Sequence, residues 1–371
     1  MAKLATPLPS YRWITLLSRL LLMPRGGSPS ASQSWSAVTS ELRNISREDF
    51  EELLTLANSN HVIVRGLESL LGIMRDERDD TRCEWIETAL AIEHRRIATA
   101  VSFLHEICSA FKEYSSDAIV IKSLDHWPDL GSDLDLFTNA NSDDVSRLIR
   151  SRFEAELAPR SWGDRLACKW NFLIPGLPEA VEVHIGRLGQ TGEQATIASR
   201  LVQRARLVRI SGHEFRVTSV SDRLMISTLQ RMYRHFYFRL CDIVDSAELI
   251  ESGIVDYVGL RSLASEAGIW EGVATYLVIV SDYVMKYRGA PLDLPPFVTA
   301  GAHFGGESIY YGKGFLRVPI MPQSAKLYGS QLVGLLGKGE LHNSARLSLL
   351  PWLATAAAVG QKITGSDKGI W

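Results

Sequence analysis

Residues 121–138 read IKSLDHWPDLGSDLDLFT, and the aspartates near the end of this stretch decide how the chain is read. Acidic and apolar residues alternate in DLDLF. In a strand, Asp133 and Asp135 therefore share one face while Leu134 and Leu136 enter the core on the other. Two like charges on a half-buried face are tolerated only where cations or hydrogen-bond donors neutralise them. A third carboxylate, Glu182, follows 47 positions after Asp135 within AVEVHIG, a segment of the same alternating kind. If the two segments are neighbouring strands, three carboxylates converge. Such a site suits a hard cation, above all Mg²⁺, which binds through a few carboxylates plus substrate phosphates. Two such ions, roughly 3.5–4 Å apart, activate an attacking hydroxyl and stabilise a leaving pyrophosphate. An Asp-apolar-Asp triplet alone is a weak signal. Here Gly131-Ser132 precedes it directly, and Lys122-Ser123 ends the hydrophobic strand upstream.

Outward from this stretch, the periodicity divides the chain into five parts. Residues 1–34 are expected to hold a short amphipathic helix at 10–23 and a flexible connector, GGSPSASQS. Residues 35–116 carry helical spacing, with the charged RDERDD at 75–80 as a solvated connection. Residues 117–220 read as a small mixed β-sheet: AIVIKS, DLDLFT, ACKWNFLI and AVEVHIG are strands, a helix is capped by Ser142, and LVRISGHEFRVTS is a hairpin around Ser211-Gly212. Helical spacing returns over 221–296, with an unbroken helix across 221–250. Residues 297–371 form a C-terminal extension whose role the pattern does not reveal. The fold class is α+β, a small sheet between helical N-terminal and C-terminal regions.

A net charge of −2 gives no global reason to expect nucleic acid or an anionic membrane as the main partner, so any polyanion site must be local. The four cysteines, Cys83, Cys108, Cys168 and Cys241, form no CxxC pair and read as reduced thiols. Arg19 interrupts the N-terminal apolar run, so no signal peptide is expected. LSLLPWLATAAAVG at 347–360 is too short to span a bilayer and contains Pro351, so a packed or interfacial helix is expected there. A cytoplasmic protein without a transmembrane segment is the expectation.

The residues IVIKS, GSDLDLFT and VEVHIG resemble the nucleotidyltransferase core of the DNA polymerase β superfamily. With FEELLTLANSNHVIVRGLESL before them and MYRHFYFRLCDIVDSAELI after them, they look like the bacterial uncharacterised nucleotidyltransferase family of that superfamily, over about residues 36–296. The resemblance implies a catalytic core at 117–220 and a helical region packed on it. It implies transfer of a nucleoside monophosphate from an NTP, with ATP expected, to a hydroxyl on a protein, an RNA end or a small molecule, and two Mg²⁺ ions as cofactor. Asp133 and Asp135 would bind the metals, Glu182 would complete the site, and Ser123, with Ser132 beside the aspartates, would approach the triphosphate. The sequence departs from the family where glycine usually sits beside the turn, because here Lys122 and Ser123 occupy it. Lys122 then either contacts a β- or γ-phosphate or is an ordinary solvated lysine. His184 either binds phosphate or hydrogen-bonds Glu182. His235, Arg239 and Asp242 are candidate nucleotide contacts, with an i, i+3 ion pair of Arg239 and Asp242 beside a satisfied histidine as the plainer reading. Arg160, Arg165 and Lys169 read as a solvated strand edge. Two other activities remain open: phosphotransfer on the same scaffold, or a catalytically impaired nucleotide-binding or interaction module.

Overall fold

In the computed structural model, which describes residues 9–23, 29–189, 196–349 and 352, the strand-forming segments between 118 and 217 pair into one mixed sheet framed by helices. The first helices are α1 (Pro9–Leu22), α2 (Pro29–Arg43), α3 (Arg47–Ser59), α4 (Ile63–Asp76) and the long α5 (Asp80–Glu113). Then come β1 (Ala118–Val120), β2 (Asp133–Thr138), α6 (Ser142–Phe153), β3 (Glu156–Leu157), α7 (Trp162–Leu166), β4 (Lys169–Leu173), β5 (Ala180–Ile185), β6 (Arg206–Ile210) and β7 (His213–Val217). The strand order is β3-β4-β5-β2-β1-β7-β6. The fold is α+β, as the alternating and helical patterns require.

The central pair is parallel. β2 runs beside β5 with Leu134 opposite Val181, Asp135 opposite Glu182 and Phe137 opposite His184. β4 joins the other side of β5 in antiparallel register, Asn171 facing Glu182 and Lys169 facing His184. Leu134, Leu136, Val181 and Val183 are fully buried. Each contributes about 1.5–3 kcal/mol, and a slip of one residue would exchange them with the charged face. The register of the acidic residues is thus fixed by the apolar ones.

The third part of the chain holds α8 (Val220–Thr228), β8 (Tyr237–Phe238), α9 (Leu240–Glu251), α10 (Tyr257–Glu266), α11 (Trp270–Arg288), α12 (Pro296–Gly301), β9 (Tyr310–Gly312), β10 (Phe315–Arg317) and α13 (Ala325–Gly337). Three expectations change here and near the N-terminus. The helix expected across 221–250 is interrupted: α8 passes into a wider π-turn over 229–234, Phe236 takes φ 56°, and β8 pairs with β10 before α9 begins. The C-terminal extension supplies that partner strand. The connector GGSPSASQS is partly helical, because Pro29 opens α2 in the position where its missing N–H costs nothing. The N-cap of α6 is Asn141, whose side chain accepts from the Asp143 N–H at 2.8 Å, and not Ser142. The Ser211-Gly212 hairpin is present, both residues at positive φ. Most of the apolar stretch 347–360 lies outside the described residues. Among the described residues no helix is long and apolar enough to cross a membrane, and the four cysteines are free.

Candidate active site

Alternation places Asp133 and Asp135 on one face of β2, Glu182 and His184 on the same face of β5, and Lys169 and Asn171 on that of β4. One surface of three adjacent strands is therefore polar where its reverse is apolar. Asp135 and Glu182 are direct neighbours, and with His184 they bring one ligand atom each within 4.8 Å of one another, a group that could hold a metal ion. Asp133 lies one pleat away at the solvent-facing end of β2.

Lys122 dominates this face. Its φ of 61° and ψ of −56°, with the Ser123 N–H donating to the Ile121 carbonyl at 2.6 Å, make a γ-turn of the rare, strained hand. Holding a non-glycine residue there costs about 1–3 kcal/mol. The turn puts the Lys122 ammonium against Asp135 Oδ1 and 3.6 Å from Glu182 Oε1. Lys122 is thus an internal counter-ion and not a solvated lysine.

Ser123 is buried beneath the turn. Its hydroxyl accepts from the Asp135 N–H at 2.7 Å and donates to the Asp133 carbonyl at 3.2 Å, so its one proton is committed to β2. Ser132 is exposed and its hydroxyl lies 3.4 Å from Asp133 Oδ2. His184 Nε2 meets Glu182 Oε1 at 2.7 Å, which is the carboxylate contact among its two sequence readings.

Lys169 is the residue that sequence reasoning placed wrongly. It is no solvated edge: its ammonium is largely withdrawn from solvent, 2.7 Å from Glu182 Oε2 on β5 and 3.1 Å from Asp164 Oδ1 on α7. The signal was present in the alternation of ACKWNF, where Lys169 and Asn171 share a face turned to Glu182 and His184, but no local pattern shows that Asp164 reaches the same ammonium. Arg96 on α5 was missed as well. It donates to the Leu130 and Gly131 carbonyls at 2.8 and 3.2 Å and pairs with Glu93 and Glu179, so it ties together the segments leading into β2 and β5.

The electrostatics follow from these contacts. Burial alone would raise the Glu182 carboxyl, yet Lys122, His184 and Lys169 outweigh it and hold it well below the usual carboxylate range. Asp133 goes the other way: loss of water and the carboxylates of Asp135 and Glu182 prevail over Lys122 and Lys169, and its pKa is raised. Four carboxylates, Asp133, Asp135, Glu182 and Asp164, face two ammonium groups, Lys122 and Lys169. The carboxylate oxygens of Asp135 and Glu182, with Asp133 one pleat away, are donors that suit a hard cation.

Beyond the sheet, His235 is pushed down to about 2 by burial and by Arg234, Arg231, Lys122 and Arg239. The interrupted helix thus turns a cationic wall toward the lysine. Within it Arg234 Nε and Arg239 Nε are buried and lack hydrogen-bond partners. Asp242 is already used: it pairs with Arg231 at 2.7 Å and accepts from the Arg239 N–H at 2.7 Å, capping α9. Its partner is Arg231, in place of the expected side-chain pair with Arg239.

Among solved structures, an antigenic nucleotidyltransferase-like protein from Paracoccidioides brasiliensis is similar to this chain. It is 12% identical, the match covers 44% of this chain and 85% of that one, and the TM-score is 0.31. No protein-family model matches the chain, and no curated protein is similar to it.

Proposed function

We propose that this protein is a Mg²⁺-dependent nucleotidyltransferase, which moves a nucleoside monophosphate from an NTP, ATP foremost, to a hydroxyl acceptor with release of pyrophosphate. The observation that carries this reading is the in-register placement of Asp135 beside Glu182, on the face that also bears Asp133 and receives the Lys122 ammonium. Asp133 and Asp135 would hold Mg²⁺, which when bound supplies charge neutralisation on the reacting phosphates. Two Mg²⁺ ions at this face would require Lys122 to move off Asp135. Glu182, kept ionised by Lys122, His184 and Lys169, completes the acidic set. Lys122, Lys169, Arg234 and Arg239 surround the place where a triphosphate would lie, and such preorganised cations stabilise charge that develops in the transition state. Ser123 and Ser132 act by positioning the turn and Asp133, and His184 by fixing Glu182. The acceptor is a protein, an RNA end or a small molecule. The free thiols suit a reducing compartment such as the cytoplasm.

Incubation with α-labelled NTPs, Mg²⁺ and cell extract tests this. Label should enter an acceptor with wild type and not with the Asp133→Asn, Asp135→Asn double variant; transfer that survives in the variant contradicts the assignment. One observation favours a second reading, a nucleotide-binding module that has lost catalysis: the Lys122 ammonium already sits where a cation would bridge Asp135 and Glu182. That reading predicts thermal stabilisation by NTP without pyrophosphate release. Labelling by γ-labelled but not α-labelled ATP would instead identify phosphotransfer.

A further inference from the structure

His126 closes the short helical turn that begins at Ser123, and its ring enters a second buried cluster behind the acidic face. Its Nε2 lies 3.8 Å from Cys241 Sγ on α9. His61, in the link between α3 and α4, approaches edge-on with ring centroids 5.6 Å apart. One donor atom from each of His61, His126 and Cys241 lies within 4.8 Å of the others, all three residues being buried.

We infer that His61, His126 and Cys241 form a binding site for a transition-metal ion, Zn²⁺, that fastens the Lys122–Ser123 turn to the surrounding helices. Zinc takes imidazole nitrogen at about 2.0–2.1 Å and thiolate sulfur at about 2.3 Å, and tetrahedral geometry then separates nitrogen from sulfur by about 3.6 Å. The 3.8 Å between His126 and Cys241, within reach of a sulfur hydrogen bond, is also close to that spacing. Second, His61 Nδ1 is buried and has no hydrogen-bond partner. Buried polar atoms in close-packed interiors are rarely left so, and a metal would satisfy this one. Third, the outer ligands are in place. His126 Nδ1 faces Asp245 Oδ2, the carboxylate–histidine arrangement that orients metal ligands, and Asp245 is itself held by Arg65 at 2.7 Å. Gly131 leaves the room: a Cβ there would stand 2.9 Å from His61 Cε1.

The donors separate this site from the acidic one. Two imidazoles and a thiolate select a borderline or soft ion and reject Mg²⁺. Three protein ligands leave the fourth tetrahedral position to water. Because His61 precedes α4, His126 ends the turn after Lys122, and Cys241 lies in the first turn of α9, the ion would add a cross-link to three segments already joined by the Cys241 N–H to the Asn60 carbonyl and by His126 to Asp245.

The full chain, produced with zinc in the medium, should carry one zinc per molecule after gel filtration. Replacing it with Co²⁺ should give a thiolate-to-metal charge-transfer band in the near ultraviolet. Cys241→Ser, the conservative variant, should lose that band and bind zinc at least about 10-fold more weakly, the effect expected of disturbing even an outer ligand. Asp135→Asn combined with Glu182→Gln should keep both zinc and band. Substoichiometric zinc in wild type together with a Co²⁺ spectrum lacking the thiolate band overturns the inference. So does a band that persists in Cys241→Ser or disappears with the acidic-face variant.

Discussion

The Lys122 ammonium rests against Asp135 Oδ1 and 3.6 Å from Glu182 Oε1, between two parallel strands, on the central residue of a strained γ-turn. One side chain therefore does the work of a resident cation. It pairs with carboxylates on two adjacent strands, and the attraction offsets the backbone strain that places it there.

Lys122→Gly and Lys122→Met separate these effects. Both remove the charge, but only glycine accepts φ 61° freely. Urea unfolding should find the Gly variant more stable than the Met variant by about 1 kcal/mol. Both should weaken NTP binding by about tenfold or more, since a charge-assisted phosphate contact is worth about 1.5–3 kcal/mol. Equal stability of the two would mean the turn is not strained.

Arg96 should be the largest single stability determinant of the site's geometry. It joins Glu93, Glu179 and the carbonyls before β2. Arg96→Ala leaves two buried carboxylates unpaired, and a loss of about 3–5 kcal/mol is expected by denaturant titration. A loss below about 1 kcal/mol would show that packing alone holds the segments.

Ser123→Ala removes the hydroxyl that links the turn to the backbone of β2. The Asp135 N–H is then buried without a partner, which costs about 1–3 kcal/mol. Hydrogen exchange at Asp135 should rise in step with the lost stability; unchanged exchange would mean that water or another group takes over.

His235 gives stability a pH dependence. Its folded-state pKa, about 2, lies below the ordinary 6.5. The unfolded chain thus binds a proton that the native protein refuses, and stability falls as pH drops from 6.5 toward 2. Between pH 7 and 5 the wild type should lose about 2 kcal/mol more than His235→Gln, against a limit of about 1.4 kcal/mol per pH unit. Parallel pH profiles of the two proteins would contradict this.

What the sequence disclosed and what it hid follow from the reach of local patterns. Period-two alternation in DLDLF and AVEVH fixes which residues share a face, and the register of Asp135 with Glu182 follows once the strands are adjacent. Alternation says nothing of which groups from other elements meet a lysine, so Lys169 looked solvated when Glu182 and Asp164 in fact hold it. Nor does the helical period reveal that a distant strand, β10, pulls 237–238 out of a helix, which is why the unbroken helix expected across 221–250 does not exist. The His61, His126 and Cys241 cluster joins residues up to 180 positions apart, and no spacing rule could gather them.

The proposed function requires that the acidic face of β2 and β5 grip a divalent ion together with a nucleotide. Calorimetric titration of the protein with ATP, with and without Mg²⁺, measures this directly. Binding should require Mg²⁺ and vanish in the Asp133→Asn, Asp135→Asn variant while its thermal unfolding stays cooperative. Binding of equal strength without Mg²⁺, or binding untouched in the folded variant, would contradict the account.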